Sequence, residues 1–138
     1  HMCMVAAAVA NDGVMMEPRL LSRVESPSGV VRLRYSQKVY GQAMSAETAQ
    51  KLDGYMKDVV KNGTGTKAQV DGLSIAGKTG SAESSNNGQA VTHAWFVGFL
   101  RNEDAPYAFA VLVENGGGGS SVAGSVAAKV LDPIVNGY

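Results

Sequence analysis

The sequence predicts an α+β domain in which an antiparallel sheet of about three strands is flanked by helices. Three observations carry this prediction. Two apolar segments, His93-Ala94-Trp95-Phe96-Val97-Gly98-Phe99-Leu100 and Tyr107-Ala108-Phe109-Ala110-Val111-Leu112-Val113-Glu114, are rich in aromatic and β-branched residues and have strand length. A third segment, Asp71 to Glu83, precedes them, and the polar stretch Ser84-Ser85-Asn86-Asn87-Gly88 between suits a hairpin loop. Segments of helical character stand before and after this group.

In chain order, Met4 to Ala10 is a helix of small residues stopped by Asn11-Asp12-Gly13, and its alanines suit close packing against a neighbour. Val14 to Val24 reads as extended, with Pro18 at a turn or edge. Ser26-Pro27-Ser28-Gly29 is a turn, and Val30 to Tyr35 alternates well enough for a short, half-exposed strand. Ser45 caps the clearest helix, in which Leu52, Tyr55, Met56, Val59 and Val60 make one apolar face. Asn62-Gly63-Thr64-Gly65 ends it. After the third strand, the Gly116–Gly119 run leads to Ser120-Ser121, a cap for a helix over Val122 to Leu131, which Pro133 ends or kinks.

The 138 residues suit one domain, which buries about 68% of its unfolded surface at this size. Apolar residues make up 45% and charged residues 17%, which excludes a disordered or strongly charged chain. Twelve basic residues balance twelve acidic ones with no basic block, so nucleic-acid binding has no electrostatic footprint. The single Cys3 excludes an internal disulfide, and with His1 and His93 as the two histidines no zinc site, and no cofactor, is expected. His1-Met2 reads as a cloning scar, which leaves residues 3–138 as the domain. No apolar run approaches the roughly 20 residues of a membrane span, and no signal peptide is recognisable.

One stretch fits two functions. Gly72 to Thr79 matches the phosphate-loop pattern G-x-x-x-x-G-K-[ST], while Lys78-Thr79-Gly80 matches the K-T-G element of serine acyl-transfer enzymes. A phosphate loop joins a buried strand to a helix, whose N-terminal N–H groups face the phosphate. Here the upstream residues, Lys61 to Val70, are mostly polar, and Gly80 to Gly88 has no helical period. The K-T-G reading needs a cation, a hydroxyl and a glycine on an edge strand, and the flanking segments supply that.

Gly77-Lys78-Thr79-Gly80-Ser81-Ala82-Glu83, with His93 to Phe99 and Tyr107 to Glu114, resembles the C-terminal part of a penicillin-binding transpeptidase domain, of the monofunctional class B type. Met4 to Leu21 resembles the helix and crossing segment that precede it, and the likeness runs from Met4 to about Val135. The resemblance implies the C-terminal part of a β-lactamase/transpeptidase-like fold. It implies a peptidoglycan D,D-transpeptidase that cross-links stem peptides through a serine acyl-enzyme, outside the cytoplasmic membrane and tethered to it. Its partners would be the D-Ala-D-Ala stem peptide and β-lactams.

Residue by residue, the resemblance makes Lys78 the cation of the active-site cleft. Thr79 would bind the terminal carboxylate of the stem peptide or β-lactam, Gly80 would let the substrate backbone lie along the strand, and the Ser81 N–H would be an oxyanion donor. The departures are as informative. The family nucleophile sits in S-x-x-K, and no serine here has Lys three positions later; Ser36 has it two positions on. The family S-x-N precedes K-T-G, whereas Ser84-Ser85-Asn86 and Ser85-Asn86-Asn87 follow it and suit a turn. The chain alone is therefore expected to be inactive, and a noncatalytic binding or scaffold module of the same fold is the alternative. By the same resemblance the family sheet has five strands, so the strand at Tyr107–Glu114 would be an open edge and the chain would self-associate. His93 reads as a hydrogen-bonded structural histidine, and Trp95 and Phe96 as core.

Overall fold

Small side chains allow the first helix to lie close to its neighbours. In the computed structural model, which describes residues 1–86, 89–117 and 122–137, α1 (Met2–Ala10) buries Ala6, Ala8 and Val9. Next come short strands: β1 (Val14–Met16), β2 (Arg23–Glu25), β3 (Val31–Arg34) and β4 (Val39–Gln42). They form two separate two-stranded ribbons, β1 with β4 and β2 with β3, both antiparallel. The expected extended run Val14–Val24 is thus two strands with an irregular link between them.

α2 (Ala46–Asn62) begins as its sequence dictates. Ser45 Oγ accepts from the Thr48 N–H at 3.2 Å, which satisfies one of the orphan donors of the first turn. A single 3-10 turn, Thr66–Ala68, then leads to β5 (Ile75–Asn86), β6 (Gln89–Leu100) and β7 (Ala108–Val113). These form an antiparallel meander, so the expected three-stranded sheet is present. Ser84 to Asn86, expected in a loop, extend β5, because the backbone ladder to β6 continues regardless of side-chain polarity. The remainder of that stretch, Asn87 and Gly88, lies outside the described residues, as does the expected Ser120-Ser121 cap. α3 (Val122–Asn136) runs on through Pro133, which ends nothing.

The sheet is covered on both faces. Phe96, Ala94, Leu100 and Ile75 cluster with Ala123, Ala127 and Leu131 of α3. Ala76 and Phe99 cluster on the opposite face with Ala6 and Val9 of α1. Phe96 and Phe99 are fully buried, each worth about 1.5–3 kcal/mol of transfer free energy. α2 contributes to both layers, Val60 on the α3 side and Leu52 and Met56 on the α1 side, so it crosses the edge of the sheet at β5. Glycines admit the aromatic rings: a Cβ on Gly77 would run into the Phe96 ring, and one on Gly98 into the Ala76 carbonyl and the Phe109 ring. Phe96 and Phe109 then meet with centroids 5.7 Å apart.

Candidate functional site

The register of β5 sorts the candidate residues. Lys78 pairs with Val97, Thr79 with Phe96, Gly80 with Trp95 and Ser81 with Ala94. Since side chains alternate, Lys78 lies on the α1 face with Trp95 and Val97, and Thr79 lies on the α3 face with Phe96. The cation and the hydroxyl, expected at one open edge, project to opposite faces of the sheet. What they share is the strand edge itself.

That edge can be read from two contacts. The Ala76 carbonyl turns toward β6, against Gly98, and in an antiparallel ladder alternate residues turn their peptide groups to alternate sides. Thr79 and Ser81 consequently turn theirs away from β6. In agreement, Lys78 Nζ donates to the Thr79 carbonyl at 2.7 Å, which is possible because that oxygen faces outward. Lys78 is absent from the four ion pairs among the described residues, so its charge is neutralised by no carboxylate there.

Thr79 is 9% exposed, and its Oγ1 lies 2.7 Å from Thr64 Oγ1, on the turn that follows α2. A cleft of about 420 Å³ adjoins these residues, lined by Met2, Lys78, Thr79, Gly80, Ser81, Ala82, Trp95 and Val97. Trp95, expected in the core, is half-buried and forms a wall of this cleft with Met2 at the start of α1, because its strand position places it on the Lys78 face. Thr64 carried no motif in the sequence; only its place between two glycines marked it, and that reads as a helix end.

His93 has a defined role in the framework. Its Nδ1 accepts the Asn115 N–H at 3.2 Å, and a backbone amide can only donate. The proton of the neutral ring is thereby assigned to Nε2, which donates to Ser84 Oγ at 2.9 Å. Ser84 and His93 are therefore not a nucleophile with its base; the histidine ties β5 to the exit of β7. Among the described residues, no group of three or more His, Cys, Asp or Glu could hold a metal ion, and no helix is long and apolar enough to cross a membrane. The phosphate-loop alternative fails on geometry, since Lys78 and Thr79 sit inside a strand that continues to Asn86, where a phosphate loop would open a helix.

Known proteins share this fold. The family model described as "Penicillin binding protein transpeptidase domain" matches residues 1–135. The chain is similar to the peptidoglycan D,D-transpeptidase PbpA of Mycolicibacterium smegmatis, 34% identical over 128 residues, 92% of this chain and 26% of that protein. It is 33% identical over 135 residues to PbpA of Mycobacterium tuberculosis, 95% of this chain and 27% of that one. Among solved structures, the D,D-transpeptidase domain of a peptidoglycan glycosyltransferase from Eggerthella lenta superposes with a TM-score of 0.84 at 36% identity, over 97% of this chain and 31% of that one. The imipenem acyl-enzyme complex of penicillin-binding protein A from M. tuberculosis gives 0.81 at 30%, over 96% and 29%. The chain spans about a quarter of the length of the curated relatives it matches. It belongs to the penicillin-binding protein transpeptidase family.

Proposed function

We propose that residues 3–138 form the C-terminal part of a peptidoglycan D,D-transpeptidase domain, and that the outer edge of β5 is where its substrate lies. The observation that carries this is the outward-turned peptide groups of Thr79 and Ser81, next to a cation and beside an open cleft. An extended stem peptide ending in D-Ala-D-Ala adds along such an edge as an extra strand. Gly80, between them, presents no side chain to lift the peptide away. Thr79 holds the terminal carboxylate, and the Ser81 N–H faces the oxygen that gains charge as the carbonyl is attacked. Lys78 supplies the positive field that keeps the network around the nucleophile polarised.

The nucleophile comes from elsewhere in the complete protein, because this sequence holds no S-x-x-K. Attack by that serine on the penultimate D-Ala carbonyl expels the terminal D-Ala, and an amine from a second stem peptide then takes the acyl group. β-Lactams would be caught at the same step. The acyl-enzyme complexes of the similar penicillin-binding protein A with imipenem and penicillin G support that reading. The chemistry belongs on the outer face of the cytoplasmic membrane, with the complete protein anchored there.

Intact-protein mass spectrometry with a fluorescent penicillin tests the proposal. The complete protein should gain one adduct, Lys78→Ala should slow its formation by about 10²-fold or more with little change in melting temperature, and the 138-residue chain should gain none. An adduct on the chain alone, or a Lys78→Ala protein that misfolds yet acylates normally per folded molecule, would overturn it. Among the described residues β7 pairs with a strand on one side only, so we also propose that the isolated chain self-associates along that edge. Sedimentation at tens of micromolar should show a dimer or larger species; a clean monomer would refute this.

A further inference from the structure

The hydroxyl of Thr79 is not alone on its face of the sheet. Thr64 Oγ1 lies 2.7 Å from it, and the turn carrying Thr64 is held in place twice over. The Gly63 and Gly65 N–H groups both donate to the Val59 carbonyl, at 3.1 and 2.9 Å. The Gln69 side chain donates to the Val60 and Lys61 carbonyls, at 2.8 and 3.1 Å, which closes the last turn of α2. A β-branched threonine on such a turn has few rotamers to choose from.

A hydroxyl has one proton and two lone pairs. When Thr79 donates to Thr64, its proton is used inside the protein. When Thr64 donates, Thr79 accepts, its own proton is free to point outward, and the bond it accepts polarises its O–H. A carboxylate only accepts, so its arrival selects the second arrangement. We propose that Thr64 is a positioning residue: its hydroxyl donates to Thr79 and thereby turns the Thr79 proton toward the substrate carboxylate. This rests on the reading of Thr79 as the carboxylate donor.

The test measures acylation of the complete protein by benzylpenicillin and by its methyl ester, which lacks the carboxylate charge. Thr64→Val should slow the acid about tenfold and the ester less than about twofold, the scale of one hydrogen bond to a charged group. Thr64→Ser, which keeps the hydroxyl, should restore the acid to within about threefold of wild type. Thr64→Ala replaces the valine variant should that one fail to fold. Equal slowing of acid and ester, or no rescue by serine, would make Thr64 a structural residue and overturn the inference. Thr79→Val separates the two levels of the argument. If it removes the preference for the acid while Thr64→Val does not, only Thr64 is misassigned. If Thr79→Val also leaves that preference intact, the carboxylate is not held at Thr79 and both fall.

Discussion

Two antiparallel strand pairs of the chain, β5–β6 and β2–β3, obey the same local rules and meet opposite fates. β5 and β6 pair over twelve residues each and are covered on both faces, with Phe96 and Phe99 fully buried. β2 and β3 pair over three or four residues, and Val24, Val31 and Leu33 remain 41–48% exposed. Both carry β-branched residues, and both close their backbone hydrogen bonds. The difference is that β5–β6 lies between α1 and α3, while among the described residues no helix packs closely on β2–β3. Strand formation is therefore a local outcome here and burial is not. The candidate site sits on the ribbon whose backbone is fixed from both sides, where peptide groups can be held in place for a substrate.

Truncation of an equivalent apolar side chain on each ribbon gives the largest contrast. Phe96→Ala should cost about 3–5 kcal/mol in urea unfolding, because it leaves a cavity between the sheet and α3. Leu33→Ala should stay within about 0.5 kcal/mol. Comparable losses would mean that β2–β3 is packed against something after all.

Glycines extend the comparison to the β1–β4 ribbon at smaller scale. Gly98→Ala drives a methyl into the Ala76 carbonyl and the Phe109 ring, and should cost about 1–3 kcal/mol. Gly41→Ala on β4, where nothing lies within 4 Å of the added carbon, should change stability by less than about 0.5 kcal/mol. A neutral Gly98→Ala would show that the two strands can move apart freely.

Charged groups give the smallest effect. Arg101 bonds Asp53 and the Ala10 carbonyl and lies 5.1 Å from the Phe99 ring centre, so it joins α1, α2 and β6. Arg101→Ala should cost about 1–2 kcal/mol. Arg23→Ala breaks an exposed pair with Glu25 on β2, and should cost under about 0.5 kcal/mol, less still in high salt. Equal losses in the two variants would remove the distinction between the ribbons.

The meander and the main helices were legible because their signals are local. Ser45 marks its own helix start, and the apolar runs at His93–Leu100 and Tyr107–Glu114 admit little besides strands. β4 was not legible: Val39-Tyr40-Gly41-Gln42 is short, contains a glycine, and pairs with β1 far upstream. Nor was the continuation of β5 through Ser84 to Asn86, since polar letters there conceal a ladder made by the backbone. For the site, the letters of Lys78 to Ser81 could be read, but their division between two faces depends on register and so on β6. The Thr64 contact joins segments whose meeting no pattern announces.

The division of Lys78 and Thr79 between faces makes the three-letter motif sensitive to events that do not touch its letters. Loss of one residue from Leu73 to Ile75 would leave Gly-Lys-Thr-Gly intact in the sequence. If β5 then paired with β6 one position out of step, the lysine would be turned into the α3 layer and the threonine hydroxyl toward Trp95, and the neighbouring residues would lend their peptide groups to the edge. A search for the string would still find it; the chain would no longer turn its residues to the same faces. Within this lineage, insertions and deletions should therefore accumulate in the Leu20–Tyr40 region and be purged from the few residues leading into β5, so that spacing is under selection as much as identity.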